Sequence, residues 1–211
     1  MSLIESISAT ENYRERCEDR VDVINEDNRT VIIVADGAGG VGSGDLAAEY
    51  VVSFVKSNYK NTHSANDWVN LLRQIDSQIG AGESTAVVVD IRPYGIAGAS
   101  VGDSQAWILK DGITDLTCNQ VRKPLIGSGQ SEPIGFTNSP LDGLLIVATD
   151  GLFDYAKRDE ITRLVLQSDF YAISRNCIDL VRLPSGDMWD DVGIVAARNK
   201  PQHRTRRTFD I

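Results

Sequence analysis

Four segments of the chain are apolar without interruption, and some of the links between neighbouring strands are very short. The runs are Val31-Ile32-Ile33-Val34-Ala35, Ala86-Val87-Val88-Val89, Leu144-Leu145-Ile146-Val147-Ala148 and Ile194-Val195-Ala196-Ala197. A strand with no polar alternation is covered on both faces, which normally means a parallel sheet sandwiched by helices. Yet the strands expected at 84–91, 94–101 and 105–110 are separated only by Arg92-Pro93 and Gly102-Asp103-Ser104. Parallel neighbours need a crossover of about a dozen residues or more, so these strands are expected to be antiparallel. Both constraints are met if two mainly antiparallel sheets pack face to face and helices cover their outer faces. The expected fold is therefore α+β, a four-layer α/β/β/α sandwich.

The remaining elements fit that frame. Strands are expected at 3–10, 20–25, 31–36, 143–149 and 192–198. A helix over 45–59 would carry Leu46, Tyr50, Phe54 and Val55 on one face, and a helix over 65–79 would carry Trp68, Leu71, Leu72 and Ile75. Those stripes have helical spacing and read as core. Two more helices are expected at 158–167 and 171–182, and the glycine-rich stretch 116–137 reads as a loop over a site or an edge. No repeat, low-complexity tract or linker interrupts the chain.

At 211 residues, 42% of them hydrophobic, the chain can close one domain around a sizeable core. Its net charge of −9 argues against nucleic acid as a partner. No apolar run reaches the length of a membrane span and no secretory pattern opens the sequence, so no membrane association is expected. Three widely spaced cysteines (Cys17, Cys118, Cys177) point to a reducing, cytoplasmic location. The one basic stretch is the tail, with Arg198, Lys200, Arg204, Arg206 and Arg207, read as a solvated end.

Acids recur where strands stop. Asp36 follows the first apolar run, Asp103 lies in the joint Gly102-Asp103-Ser104, Asp150 follows LLIVAT, Asp190 and Asp191 precede the last strand, and Glu18 and Asp19 precede the second. Taken one at a time, each is an ordinary turn or surface acid, as Asp111-Gly112 and Asp142-Gly143 are read to be. Together, carboxylates gathered at one edge of a sandwich repel unless protonated or neutralised by cations. Oxygen-only donors suit Mg²⁺ or Mn²⁺, and Gly37 and Gly151, each after an acid, let backbone come close to an ion. The segment 37–42 also fits G-x-G-x-x-G. A dinucleotide site would need an acid ending a second strand about 20 residues on, where Asn61-Thr62-His63-Ser64 reads as a loop. A P-loop would need Lys-Ser/Thr where Ser43-Gly44 stands.

This ordered set resembles the metal-dependent serine/threonine protein phosphatases of the type 2C family, in a compact, bacterial-like form. Arg14-Glu15-Arg16-Cys17-Glu18-Asp19 resembles the family's arginine four residues before Glu-Asp, and Asp36-Gly37-Ala38-Gly39-Gly40 its Asp-Gly-x-Gly-Gly. Ser84-Thr85-Ala86, Gly102-Asp103-Ser104, Thr149-Asp150-Gly151-Leu152 and Asp190-Asp191 follow in the family's order. The resemblance implies a single phosphatase domain over 1–198 and a basic C-terminal tail over 199–211. It implies that Asp36 bridges two Mn²⁺ or Mg²⁺ ions, with Glu18 or Asp19 and the Gly37 carbonyl at the second ion and Asp150 and Asp190 at the first. Asp103 with Asp150 can hold a third ion, as in bacterial relatives, and Arg14 would grip the substrate phosphate.

The implied activity is hydrolysis of phosphoserine and phosphothreonine in proteins by direct attack of a metal-bridging water. The partners would be phosphoproteins and a cognate Ser/Thr kinase; the alternative is a catalytically weak regulatory or phospho-binding module. Five departures stand out. Ala38 occupies a position where many relatives carry histidine, Gln105 replaces arginine, Glu83 replaces a small residue, Asp191 stands for asparagine, a mild change, and the flap over the site is reduced to about 118–137. Other phosphatase chemistries lack their residues: no Cys-x₅-Arg or Asp-x-Asp occurs, and His63 and His203 are too few for a histidine-rich metal site.

Overall fold

The computed structural model describes residues 3–13, 15–38 and 42–201. Ten strands form two five-stranded sheets, every pairing antiparallel. The first sheet contains β1 (Ile4–Glu11), β6 (Gln105–Leu109), β7 (Ile113–Asp115), β9 (Leu144–Ala148) and β10 (Val192–Asn199), in the order β1-β10-β9-β6-β7. The second contains β2 (Arg20–Glu26), β3 (Arg29–Ala35), β4 (Ala86–Arg92), β5 (Gly95–Val101) and β8 (Ile134–Asn138), in the order β2-β3-β4-β5-β8.

The unbroken apolar runs have the cause expected of them. In β3, Ile32 and Val34 point into the inter-sheet core with Val87, Val89, Leu145, Val147 and Val195, while Val31, Ile33 and Ala35 point outward under helices. Successive strand side chains face opposite ways, so a strand covered on both sides has no position left for a polar residue. Helices α1 (Gly44–Asn58) and α2 (Ala65–Gln78) cover the second sheet. Helices α3 (Asp150–Phe153), α4 (Arg158–Gln167) and α5 (Ile173–Val181) lie against the first, with Ile161, Val165, Ile173 and Ile178 buried on Ile146 and Ile194. Each such fully buried aliphatic side chain is worth about 1.5–3 kcal/mol, so a charge at Val34 or Val147 would break the sandwich at its centre. The start of α2 is set locally: Ser64 Oγ accepts the Asp67 N–H (3.3 Å) while Asp67 Oδ2 accepts the Ser64 N–H (2.8 Å), a reciprocal cap.

Three expectations need correction. The β4–β5 hairpin forms, but β5 and β6 do not pair; the chain crosses from the second sheet to the first at Gly102-Asp103-Ser104. A three-residue joint excludes parallel neighbours, but it does not require the two strands to share a sheet. On α1 the buried face is Ala47, Ala48, Val51, Val52 and Val55, and Leu46 is 63% exposed. Small and β-branched residues let the helix lie close to the sheet, and the larger Tyr50 and Phe54 pack only at its margin. The stretch 116–137 is not irregular throughout, because Ile134–Asn138 adds the edge strand β8. Among the described residues no helix is long and apolar enough to cross a membrane.

Candidate active site

The backbone around Asp36 is fixed before its side chain is considered. Asp36 N–H donates to Thr85 Oγ1 (3.0 Å), and the Asp36 carbonyl accepts from Thr85 N–H (2.8 Å) and Ser84 Oγ (2.9 Å). Thr85 Oγ1 and Ser104 Oγ are 2.7 Å apart, which ties this strand end to the crossing that carries Asp103. Gly102, at φ +102°, packs its Cα on Thr85 and turns the chain just before Asp103. A Cβ on Gly37 would overlap the Gly44 carbonyl, and one on Gly151 would overlap the Asp191 carbonyl. These two glycines therefore let backbone pack on backbone, drawing the start of α1 onto the Asp36 loop and α3 onto the approach to β10.

Asp36, Asp103 and Asp150 each bring a carboxylate oxygen within 4.8 Å of the other two. They line a cleft of about 1190 Å³ together with Gly37, Glu18 and Asp190. Burial, reinforced by the charges of Asp19, Asp150, Asp190 and Asp103, pushes the Asp36 carboxyl up to about 9. Burial and then Asp103 and Asp190 also raise Asp150. The donor set is all oxygen and its members oppose one another's ionisation, which fits hard divalent cations such as Mg²⁺ or Mn²⁺.

Other expected site residues occupy distinct places. Asp190 is exposed beside the same cleft. Asp19 is buried and does not line it; its Oδ2 accepts from Thr149 Oγ1 (2.7 Å), which itself accepts the Gly193 N–H (2.9 Å). Burial raises the Asp19 carboxyl, opposed by the Thr149 hydrogen bond and helped by the charge of Asp191. Arg14 lies outside the described residues, as do Gly39, Gly40 and Val41. His63 is exposed, and its backbone N–H donates to Asp67 Oδ2 at 2.9 Å.

Some residues that organise the cleft do not stand out in the sequence. Asp191 looks like a mild variant of a motif position, yet its carboxylate accepts the N–H groups of Tyr13 (2.6 Å) and Glu18 (2.5 Å) and so pins the N-terminal segment to the cleft. Asp76 accepts the N–H groups of Gly127 (2.7 Å), Gly129 (3.0 Å) and Ser131 (3.0 Å), holding the shortened flap. Its signal was an acid four residues after Leu72 on an apolar helix face. Arg122, on the same flap, pairs with Asp103 at 2.9 Å, a contact no local pattern announces. Gln105 Oε1 accepts the Trp107 indole N–H at 3.0 Å.

Fold, cleft and motif order together define a family, and comparison with known proteins agrees. The family model of Protein phosphatase 2C matches residues 10–178. The chain belongs to the protein phosphatase 2C family. It is 30% identical to "Probable protein phosphatase 2C 80" of Arabidopsis thaliana in an alignment 162 residues long that covers 67% of this chain and 39% of that protein. The chain spans about two fifths of the length of the curated relatives it matches. Among solved structures, a mutant form of a bacterial serine phosphatase superposes with a TM-score of 0.82 at 22% identity, covering 95% of this chain and all of that one. The catalytic domain of serine threonine protein phosphatase PstP, in complex with 2 manganese ions, superposes at 0.76 with 17% identity, covering 93% and 98%. These likenesses establish the same fold.

Proposed function

We propose that the protein is a Mg²⁺- or Mn²⁺-dependent phosphatase acting on phosphoserine and phosphothreonine in proteins. The observation that carries this is the convergence of Asp36, Asp103 and Asp150 within 4.8 Å at the floor of an acidic cleft. In this reading Asp36, Asp150 and Asp190 would hold one ion, and Asp36 with the Gly37 carbonyl and Glu18 would hold a second. Asp103 with Asp150 offers a third position. Asp19, next to Glu18 in the chain, is tied through Thr149 to the start of β10, and Arg14 is assigned to the substrate phosphate.

When bound, such ions neutralise the phosphoryl oxygens and lower the pKa of the attacking water. The chain supplies the frame. Ser84 and Thr85 lock the Asp36 backbone, and Asp191 fixes Glu18 against the cleft, so the donors need little reorganisation. Ala38 lines the cleft with no proton-donating side chain, so protonation of the leaving group falls to another group. Substrates would be phosphoproteins made by a Ser/Thr kinase. A cytoplasmic location is supported by three free thiols, at Cys17, Cys118 and Cys177. The domain is taken as 1–198 with the tail 199–211 beyond it; β10 ends at Asn199.

The test is hydrolysis of para-nitrophenyl phosphate and of a phosphothreonine peptide with Mn²⁺, with chelator, and in Asp36→Asn. Release of phosphate only with metal, and its loss in Asp36→Asn, is expected. Metal-independent turnover would refute the mechanism. Peptide binding without turnover would favour the phospho-binding module instead.

A further inference from the structure

The chain has three tryptophans, and they are placed differently. Trp68 and Trp107 are buried, at 0% and 5% exposure, and each carries a guanidinium of the chain over its ring: Arg29 at 5.8 Å and Arg158 at 4.8 Å. Trp189 is 56% exposed and, among the described residues, has no cation over it. Its ring instead stacks on Tyr155, itself 44% exposed, with centroids 6.1 Å apart and planes within 5°. A large half-exposed aromatic pair is costly to leave in water without a purpose.

The pair is held firmly and stands at the cleft. Met188, buried in the outer core of the first sheet, anchors the chain on one side of Trp189, and Asp191, bonded to two backbone N–H groups, anchors it on the other. Tyr155 follows α3, whose Phe153 packs on Trp107 with centroids 4.5 Å apart. Trp189 and Tyr155 thus come from the two segments that carry Asp190 and Asp150, and Trp189 lines the same cleft as Asp36. The surroundings are acidic. Burial raises the Tyr155 phenol, and after it the charges of Asp190, Asp150 and Asp154. Among the described residues, the cations of the cleft wall are Arg16 and Lys123, which belong to the N-terminal segment and the flap.

We propose that the Trp189–Tyr155 stack is a shelf for a cationic side chain, arginine or lysine, flanking the phosphorylated residue of a protein substrate. The ring quadrupole attracts a guanidinium or ammonium group, and Asp154, which takes no part in the proposed ion site, adds a charge that bound ions do not cancel. The inference rests on the phosphatase reading for its substrate class, and the test separates the two. Binding is followed by fluorescence polarisation of labelled phosphonate peptides, which cannot be hydrolysed, in Mn²⁺. The peptides differ only in carrying Arg, Ala, Glu or Phe at each position flanking the phosphorylated site. At one flanking position Arg should bind about fivefold more tightly than Ala, with Glu weakest. Trp189→Ala should bring the Arg:Ala ratio to about one, and Trp189→Phe should keep part of it. Because the readout is a ratio within one variant, a general loss of folded protein does not imitate it.

No preference for Arg, a preference that survives Trp189→Ala, a preference for Phe over Arg, or no binding of any peptide overturns the shelf. Hydrolysis of the matching phosphopeptides is measured in parallel. Arg-selective binding without turnover would sink the phosphatase reading and leave the shelf. Turnover without selectivity would do the reverse.

Discussion

Strand β3 runs between a fully buried aspartate and a half-buried one, and the two are treated in opposite ways. At its start, Asp90 on the neighbouring strand is 0% exposed and receives Arg29 (2.8 Å), Arg92 (3.0 Å) and the Trp68 indole N–H (3.3 Å). Both arginines also reach the Thr62 carbonyl, at 3.1 and 2.8 Å, so the spare donors are used. At its end, Asp36 is surrounded by Asp19, Asp103, Asp150 and Asp190. Among the described residues, the protein sets its own cations against the acid at one end of the sandwich and gathers mostly acids at the other. A carboxylate with its counter-ions built in is structural. One gathered with other carboxylates is waiting for a cation from outside.

The sharpest way to break this contrast is to neutralise each acid in turn. On the proposed reading, Asp36→Asn should lower metal-dependent phosphate release by on the order of a thousandfold or more, because that reading makes Asp36 a donor to both ions. It should not lower the thermal midpoint in chelator, because it removes a carboxyl that folding must hold protonated. A variant that lost activity only by unfolding would contradict the assignment. Asp90→Asn should do the opposite and cost about 3 kcal/mol of stability, since it leaves the half-buried guanidinium groups of Arg29 and Arg92 without their buried anion. Denaturant unfolding of the two variants side by side decides it, and similar stability losses in both would erase the distinction.

A subtler expectation concerns pH. Folding raises the Asp36 carboxyl from 3.8 to about 9, and raises those of Asp19 and Asp150 in the same direction. Between those limits the folded protein holds protons that the unfolded chain has released. The stability associated with these groups is therefore complete below 3.8 and declines as pH rises toward about 9. In chelator the thermal midpoint should fall between about pH 5.5 and about pH 8. In Mn²⁺ the fall should flatten, and Mn²⁺ binding near neutral pH should release protons, seen as a dependence of calorimetric heat on buffer ionisation enthalpy. A midpoint in chelator that rises across that range would contradict the clustering.

How much of this could be read without coordinates follows from the range of each signal. The sandwich was legible because double-sided burial and short joints are local properties of 31–35, 84–110 and 144–148. The acids were legible because each sits at a strand end, and Asp36, Asp103 and Asp150 do converge. The crossing at Gly102-Asp103-Ser104 was not, because a short joint looks the same whether the chain turns back or changes sheet. The buried face of α1 is hidden from a reading that equates size with burial, because Ala47, Ala48 and Val51 allow the closest approach to β3. The roles of Asp76, Arg122, Asp191 and Trp189 depend on partners far away in the chain, which no spacing rule reaches.

The smallest effect tests the boundary between the two kinds of acid. Asp103 belongs to the cleft, yet the flap lends it one cation: Arg122 lies 2.9 Å away, 67% exposed against 26% for Asp103. An ion pair that open is worth under about 1 kcal/mol, so Arg122→Ala should change stability by no more than about 0.5 kcal/mol. Its removal leaves Asp103 with the acids alone and should strengthen Mn²⁺ binding about two- to fivefold, read by calorimetric titration. In an Asp103→Asn background the same substitution should change nothing, because the two residues act through each other. If Arg122→Ala weakened Mn²⁺ binding, or acted equally in both backgrounds, Asp103 would belong with Asp90 among the acids the protein neutralises for itself.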